Sequence, residues 1–447
     1  MYIWKKITPL LVCVFGELMM LTECKNCFGP FISPLLHFVF SAGSGLFLLI
    51  LGWNVKVLEL MPRNYTNISY SPIKSKSWLY LLFLVPITYV VVQLNSMFAE
   101  MPIDMNDPYK SGSDIIPALM FYVKRFVSGE FPYTPMRGTH WLHTVIPNYF
   151  TFQWLPYCLA ELARVDYRWV PPLFLLIAFG IHYSKVHKTP MAKSFRILLI
   201  ILPILIFGLW FRNSPGDFHT TVEGLIVAYY LMFAYSLYSK KIIWIAIPLA
   251  LCLLSRYSLI IWTPLFFLIC LTEKGFKNTL ILGLLVLAGF AIFYGPFLLK
   301  DPTILTNGFE YYTYAAGGEW RIHDWQPKDA QYPFHLERGT GFAIYFYKYC
   351  SGDVSQKLAF LRYTHLAILL LVVCIMSILW WVRRNKTNAI VFATGSFKIY
   401  LAFFYGFLQV PYNYLNILPL MMTLPLLYTA IRCINQIQTN RNIGIGN

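Results

Sequence analysis

Charged residues are scarce in this chain of 447 residues, because Asp, Glu, Lys and Arg together make up only 13% of it. Soluble domains typically carry roughly 25%. Hydrophobic residues make up 57% of the chain, and its mean hydropathy is +0.56. A soluble fold of this size needs far more charge to cover its surface, so the composition excludes one.

Acidic residues are the scarcer of the two charge types, with 20 Asp and Glu against 36 Lys and Arg and a formal net charge of +16. The basic residues cluster in short segments between apolar runs, as the positive-inside rule describes for membrane proteins. The charge therefore indicates orientation in a membrane, and we expect no nucleic-acid partner. The sequence also lacks a Gly-rich loop of the kind that binds nucleotides.

Metal-ligand spacings are lacking as well. The nine cysteines are scattered, mostly inside apolar runs. Cys24 and Cys27 have no further ligands nearby, so a disulfide or two free thiols fits them better than a metal. His323, His335 and the acids around them follow no established ligand spacing. We expect neither a metal nor another cofactor.

Long apolar runs are abundant instead. A transmembrane helix needs about 17–25 largely apolar residues, and runs of this kind recur along the chain, which predicts an all-α polytopic membrane protein. Glu17 and Lys398 lie inside such runs, and Lys398 is either functional, paired or snorkelling. The predicted spans are 7–22, 31–52, 79–98, 197–211, 222–238, 242–255, 257–271, 279–299, 363–382, 388–408 and 412–431.

The basic loops predict which connections share a side of the membrane. Placing loops 53–78, 185–196, 240–241, 272–278 and 383–386 in the cytoplasm puts both termini there too. The external connections are then 99–145, 212–221, Arg256, 300–360 and 409–412. Both long loops fall on the external side, which carries most of the acidic and His residues.

The stretch 146–184 leaves one question open. It holds two apolar runs, 146–163 and 169–184, separated by the polar segment RVDYRW. The predicted sidedness allows only an odd number of crossings, so one of the two runs is re-entrant or lies on the surface.

The chain divides by these features into six parts. They are N-terminal spans in 1–98, a first external loop in 99–145, central spans in 146–299, a large external loop in 300–362, C-terminal spans in 363–434 and a polar tail in 435–447.

The first external loop carries Asp104, Asp107 and Asp114 close together. Apolar residues after Asp114 recur at the spacing of a helix, namely Ile115, Ile116, Leu119, Val123 and Phe126. We expect an amphipathic helix at the membrane interface. Asp114 then either caps the backbone N–H groups of this helix or serves as a reactive carboxylate.

Several linked segments resemble the GT-C membrane glycosyltransferases, most closely the polyprenol-phosphate-mannose-dependent mannosyltransferases of glycosyltransferase family 87. SDIIPALMFYVKRFVSGEFPY is similar to the family's first external loop, which has an Asp, an amphipathic helix and Gly-x-x-x-Tyr, here Asp114, Gly129 and Tyr133. A following apolar run with two prolines and a later pair of spans with Arg256 and Pro264 extend the resemblance over about residues 100–275. It departs from the family at Pro147–Asn148, where a Pro-Pro pair is usual.

The resemblance implies a GT-C-like bundle of about 11–13 transmembrane helices with two long external loops. It implies that Asp114 is the general base and that the donor is a polyprenyl-phosphate sugar, with mannose or another hexose transferred to a glycan or glycolipid acceptor. Membrane lipid is then a further partner. The expected location is the cytoplasmic (inner) membrane, with the active site on its external side.

Other residues are candidates for binding the substrates. A lipid-linked phosphate needs cations, and Arg binds phosphate well. The external or boundary arginines are Arg212, Arg256, Arg321 and Arg338. Arg256 matches the family's basic position, and the alternative is an interface Arg that anchors a turn.

The acidic and His candidates are less specific. Asp107, Asp217 and His219 face the same predicted side as Asp114, where ordinary loop polarity is the alternative. His140 and His143 lie three residues apart, and metal, substrate and interface roles all stay open for them.

Two other functions compete with glycosyl transfer. A glycan polymerase or ligase of the O-antigen type also uses a large external loop with Arg and His, for which Arg321, His323 and Arg338 are available. A lipid or sugar transporter commonly shows repeated halves, and this sequence shows no such repeat.

Overall fold

The computed structural model describes residues 2–56, 78–108, 110–138, 140 and 144–442. Within these ranges the chain is helical and forms no strand, apart from one isolated bridge between Met136 and Val145. The longer helices are α1 (Tyr2–Met20), α2 (Gly29–Leu51), α3 (Trp78–Glu100), α4 (Ile115–Val127), α5 (Val170–Lys188), α6 (Lys193–Asn213), α7 (Glu223–Ser236), α8 (Ile243–Leu253), α9 (Thr263–Phe293), α10 (Ile304–Glu319), α11 (Val354–Arg383), α12 (Ala389–Gly406) and α13 (Thr423–Asn442).

Seven helical stretches of the described chain are long and apolar enough to cross a membrane. This confirms the predicted class, a helical membrane protein. The seven stretches are Asn26–Leu51, Tyr167–Lys188, Lys193–Asn213, Thr263–Phe293, Val354–Arg383, Ala389–Gly406 and Asn413–Ile437.

Two of the predicted spans are shorter than a bilayer requires. The run 222–238 forms α7, with 14 residues, and the run 242–255 forms α8, with 11 residues, whereas a crossing takes about 20. Nearly every residue of α7 is buried. Helix α7 therefore lies in the protein core, where contact with other helices, and not with lipid, sets its length.

The two apolar runs of 146–184 behave differently. The first is broken into the short helical segments Thr151–Trp154, Leu155–Tyr157 and Cys158–Ala163. The second forms α5, which has 19 residues and belongs to the stretch Tyr167–Lys188. One run alone thus has the length of a span, in agreement with the odd number of crossings expected.

Helix α9 reverses its direction at Gly275. This glycine has φ +79° and ψ 166°, which no helix tolerates, and a Cβ at Gly283 would lie 3.3 Å from the ring of Phe267. Those two residues would be about 24 Å apart in a continuous helix. Thr263–Phe293, counted once among the seven stretches, is therefore a helical hairpin whose two arms correspond to the separate predicted spans 257–271 and 279–299.

Contacts among the basic loops place them at one end of the molecule. The Lys56 ammonium pairs with Glu273 and donates to the carbonyl of Arg384. Thr387 donates to the carbonyl of Trp53 at 2.9 Å. Loops 53–78, 272–278 and 383–386 were predicted to share a side, and their described parts do so; residues 57–77 lie outside the described chain.

The predicted external segments meet at the opposite end. The Ser113 hydroxyl donates to the carbonyl of Thr220 at 2.8 Å, which joins 99–145 to 212–221. The indole of Trp320 donates to the carbonyl of Gln409 at 2.7 Å, which joins 300–360 to 409–412. These contacts join four of the predicted external segments in pairs, as their shared predicted side requires.

Several boundaries differ from the predicted ones. The large external loop is itself helical, with α10, Phe334–Arg338 and Ala343–Tyr349, and α11 begins at Val354 inside it. Helix α13 continues to Asn442, so the predicted tail from 435 starts as helix. Polar sequences form these helices as well, because helix formation does not require an apolar span.

An ion pair lies inside the apolar core. Lys398 of α12 donates to Glu17 of α1 at 2.5 Å, and both side chains are 0% exposed. The Thr423 hydroxyl of α13 accepts from Lys398 at 3.1 Å and donates to Glu17 at 2.8 Å. Lys398 is therefore paired, not snorkelling, and the pair ties three helices together.

Candidate functional site

Asp114 precedes α4 directly, as predicted, but its side chain does not cap the helix. The capping acceptor is the Ser113 hydroxyl, which receives the Ile115 N–H at 3.1 Å. Asp114 itself is exposed. The cap interpretation of Asp114 is therefore not supported by the geometry, and its role as a reactive carboxylate stays a prediction.

Helix α4 orients Asp114 through a buried apolar face. The predicted helix is confirmed, with Ile116, Leu119 and Val123 buried. The helix ends at Val127, and two residues later Gly129 has a φ of +76°, which favours glycine. The Glu130 N–H then bonds the carbonyl of Arg125 at 2.7 Å, a Schellman-type ending.

Tyr133, a predicted substrate-binding residue, is buried with 4% exposure. Its hydroxyl donates to the carbonyl of Tyr149 at 3.1 Å and accepts from the indole of Trp154 at 3.2 Å. The Tyr122 hydroxyl accepts from the N–H of Tyr149 at 3.1 Å. Tyr133, the last residue of Gly-x-x-x-Tyr, thus holds the backbone of Tyr149 in place. Burial raises the pKa of its phenol to about 12.

The negative charge of Asp114 acts on the phenols of three tyrosines. Burial raises the pKa of Tyr149 well above its ordinary value, and the Asp114 charge raises it further while Arg256 opposes this. Burial and Asp114 together raise the pKa of Tyr311 to about 12. Tyr414 also interacts with Asp114 and Arg256. The phenols of Tyr149 and Tyr414 therefore lie near both predicted functional charges.

Arg256 forms an ion pair that the sequence did not predict. Its guanidinium donates to Oε1 of Glu223, the first residue of α7. The Arg256 side chain is 18% exposed and that of Glu223 is 2% exposed. The charge of Glu223 raises the pKa of Arg256 despite burial, which lowers it. Arg256 is therefore a partly buried, permanently charged group and not a lone interface anchor.

Glu223 occurs in the segment RNSPGDFHTTVEG, but the pattern gave no reason to select it over the neighbouring Asp217 and His219. Its placement at the start of an apolar helix was the available signal, since a buried carboxylate needs a cationic partner. The identity of that partner, 33 residues further on, depends on the tertiary fold.

Asp217 and His219 lie on the short helix Asp217–Thr220 beside the Asp114 loop. The indole of Trp210 donates to Asp217 at 2.8 Å, so this carboxylate stabilises the loop. A Cβ at Gly112 would lie 3.7 Å from the ring of His219. Burial and the charge of Arg168 lower the pKa of His219, which is neutral at pH 7.

Asp107 lies in the loop that leads to Asp114. Lys110 lies 3.7 Å from its carboxylate and 3.6 Å from that of Asp104. The N–H of Asn106 donates to Asp104 at 2.9 Å, and this hydrogen bond lowers the pKa of Asp104. These contacts hold residues 104–110 together. The role of Asp107 in substrate binding stays a prediction.

The predicted arginines of the large external loop lie on its surface. Arg321 and Arg338 are both exposed, and the guanidinium of Arg338 lies 4.8 Å from the ring centre of Phe334. His335 of the same helix lies 3.5 Å from Glu319.

Helix α10 covers the site with its tyrosines. A Cβ at Gly308 would lie 3.3 Å from the Cα of Asn148, so α10 packs closely on the chain before Tyr149. Tyr311 interacts with Asp114, and Tyr312 shares a hydrogen bond with Tyr257, the residue after Arg256. The large external loop therefore contributes phenols to the site.

Two predicted features can be placed only in part. His140 is exposed, whereas His143 and Trp141 lie outside the described residues. Cys27 is an exposed free thiol. Among the described residues no three His, Cys, Asp or Glu side chains come together in a way that could hold a metal.

The fold and this cluster define a helical membrane protein with a polar, tyrosine-rich site at one end of its helices. The cluster combines an exposed carboxylate, a buried guanidinium–carboxylate pair and several phenols, a set that can accept a proton and bind an anion. Comparison of the chain with family models, with characterised proteins and with solved structures found no match.

Proposed function

We propose that the protein is an integral-membrane glycosyltransferase of the GT-C type. It transfers a sugar, mannose or another hexose, from a polyprenyl-phosphate donor to a glycan or lipid acceptor on the external side of the cytoplasmic (inner) membrane. The observation that carries the proposal is the position of Asp114, which starts α4 without capping it and shares its tyrosine neighbours with Arg256.

In the proposed reaction, Asp114 and Arg256 each have one role. The Asp114 carboxylate takes the proton of an acceptor hydroxyl while that oxygen attacks the anomeric carbon. The bond between the anomeric carbon and the phosphate oxygen breaks, and the polyprenyl phosphate leaves with an added negative charge. Because attack and departure take place on opposite sides of the sugar, the transfer inverts its configuration.

Arg256 stabilises the leaving phosphate. A guanidinium has five N–H donors, and the ion pair with Glu223 uses an N–H of Nη2, so donors remain for phosphate oxygens. In this partly buried place a charge-assisted hydrogen bond is stronger than in water. Tyr149 and Tyr414 line the space near both charges and supply further hydroxyl groups.

The first experiment compares the purified parent with Asp114→Asn in detergent. Each is incubated with labelled polyprenyl-phosphate sugars and a lipid extract from the host, and label transfer to a new product is measured. We expect transfer by the parent and a loss of at least about 100-fold in Asp114→Asn, since a general base contributes about 10²–10⁴-fold. Asp329→Asn, an exposed aspartate of the large external loop, is the matched control and keeps the parent rate.

Other outcomes redirect the proposal. Equal transfer by the parent and a folded Asp114→Asn variant would keep the glycosyltransferase and remove Asp114 from catalysis. Label polymerised only from pre-built oligosaccharide-lipid would favour the O-antigen-type polymerase or ligase. Uptake of sugar or lipid into vesicles without any covalent product would favour a transporter.

A further inference from the structure

The two members of the Arg256–Glu223 ion pair differ in exposure. The side chain of Arg256 is 18% exposed, whereas that of Glu223 is 2% exposed. A substrate can therefore touch the arginine, while the carboxylate is closed off from it. A carboxylate also repels a phosphate group, so Glu223 can favour a bound phosphate only by acting through Arg256.

The carboxylate of Glu223 depends on this one contact. Its Oε1 accepts a hydrogen bond from Nη2 of Arg256, and its Oε2 has no hydrogen-bond partner among the described residues. A buried charge needs an opposite charge beside it, so the pair holds together. Tyr405 also interacts with Arg256, but a neutral phenol holds a guanidinium less strongly than a carboxylate does.

Close packing fixes the backbone that carries Glu223. This residue begins α7, and a Cβ at the following Gly224 would lie 3.0 Å from the side chains of Pro171 and Leu175. This end of α7 therefore lies directly against α5, and the carboxylate projects from a fixed point.

Hydrogen bonds fix the turn that follows Arg256. The Ser258 hydroxyl bonds that of Tyr230 in α7, and the Ser258 carbonyl accepts from the Tyr400 hydroxyl of α12. With the backbone anchored to two helices, the freedom that remains is in the Arg256 side chain. Glu223 is the charged partner that restricts it.

We propose that Glu223 is a positioning residue, which holds the Arg256 guanidinium in the orientation that meets the leaving phosphate. This inference rests on the proposed function. A long side chain loses rotamer freedom when it is ordered, and the ion pair orders Arg256 before the donor binds. Donors arranged in advance need no rearrangement when charge develops in the transition state.

Orientation and charge predict opposite effects when Glu223 is replaced. Removing its negative charge would by itself strengthen the attraction between Arg256 and phosphate. Releasing the guanidinium from its orientation would weaken the hydrogen bonds to the leaving group, whose charge grows in the transition state, and so lower kcat more than it changes KM. The positioning role predicts the second result.

The test measures kcat and KM for transfer from a labelled polyprenyl-phosphate hexose. Glu223→Met keeps a side chain of similar volume and removes the acceptor. Its kcat should fall about 10- to 100-fold, the range for a hydrogen bond to a charged group, with KM changed by less than about threefold. Glu223→Gln, which keeps a neutral acceptor, should lie between this variant and the parent.

A double-mutant cycle separates positioning from folding. Replacing a buried ion pair by apolar side chains of similar volume is often neutral or stabilising, so Glu223→Met/Arg256→Met should regain thermal stability that the single variants lose. Its kcat should nevertheless equal that of Arg256→Met, because Glu223 acts only through Arg256. Asp166→Asn is the matched control, since Asp166 pairs with another arginine, Arg168, at 2.5 Å; it should keep the parent kcat.

The possible results are distinguishable. No transfer by the parent from any polyprenyl-phosphate sugar overturns the proposed function itself. Transfer by the parent, with an equal or higher kcat in folded Glu223→Met or Glu223→Gln, overturns the positioning role alone. A further loss of kcat when Glu223→Met is added to Arg256→Met also overturns it, because Glu223 would then act independently. A lower kcat in the Glu223 variants that disappears in the Arg256→Met background, with Asp166→Asn unaffected, supports it.

Discussion

Tyr149 interacts with both charged groups of the candidate site, and its backbone is held on two sides. Its N–H donates to the Tyr122 hydroxyl and its carbonyl accepts from the Tyr133 hydroxyl. These hydrogen bonds fix where the phenol lies relative to Asp114 and Arg256. At the scale of single residues, the hydroxyls of Tyr122 and Tyr133 thus position the backbone of Tyr149 in the candidate site.

Tyr133→Phe should destabilise the protein without a direct effect on substrate binding. The substitution leaves the carbonyl of Tyr149 and the indole of Trp154 without their partner, which costs about 1–3 kcal/mol. Thermal unfolding in detergent measures this loss, and donor titration measures KM. A changed KM at unchanged stability would instead support the predicted contact of Tyr133 with substrate.

His219 should make stability depend on pH. Its pKa in the folded protein lies below the ordinary value of 6.5, owing to burial and to Arg168, so the unfolded chain binds more protons as the pH falls. Its contribution is fully present above the ordinary value of 6.5 and is lost as the pH decreases from there through the lower pKa of the folded protein. The melting temperature should fall over that range, and less steeply in His219→Asn; identical slopes would exclude His219 as the source.

At the scale of elements, α4 depends on its end as well as on its apolar face. Gly129 has φ +76° and open space around it, so only backbone conformation restricts the residue there. Left-handed backbone costs a non-glycine residue about 1–2 kcal/mol.

Gly129→Ala should therefore lower the free energy of unfolding by about 1 kcal/mol. Gly180→Ala is the matched control, because Gly180 lies inside α5 with nothing near its added methyl group. There alanine should be neutral or stabilising. Equal effects at the two positions would mean that the end of α4 carries no conformational restriction.

At the scale of the whole molecule, the Glu17–Lys398 pair joins the first helix to two helices near the end of the chain. Removing one partner leaves a buried charge, which costs about 3–5 kcal/mol. Lys398→Met should therefore destabilise the protein strongly. The double variant Glu17→Gln/Lys398→Met should recover part of that loss in a thermal unfolding measurement, whereas additive losses would show that the two groups are not coupled.

The two groups of loops should also differ in accessibility. Lys328 and Lys277 are both exposed, and the charge pattern places Lys328 outside and Lys277 in the cytoplasm. A membrane-impermeant maleimide on intact cells should label Lys328→Cys and not Lys277→Cys, with the labelled peptides identified by mass spectrometry. The reverse pattern would invert the predicted orientation.

The sequence by itself determined the membrane class, α4 with Asp114 at its start, and the grouping of the loops. Length, periodicity and charge are local properties, so a single chain displays them directly. It did not determine that Ser113, and not Asp114, caps α4, since both residue types serve as caps and only the folded geometry selects one.

The tertiary structure alone decided which buried charges meet. Arg256 pairs with Glu223 across 33 residues, and Lys398 pairs with Glu17 across 381. Such partners are set by how helices pack, which no periodicity records. The same holds for Tyr157, an ordinary aromatic residue in sequence. Its hydroxyl is buried without a hydrogen-bond partner among the described residues, which is evident only once the surrounding helices have excluded water.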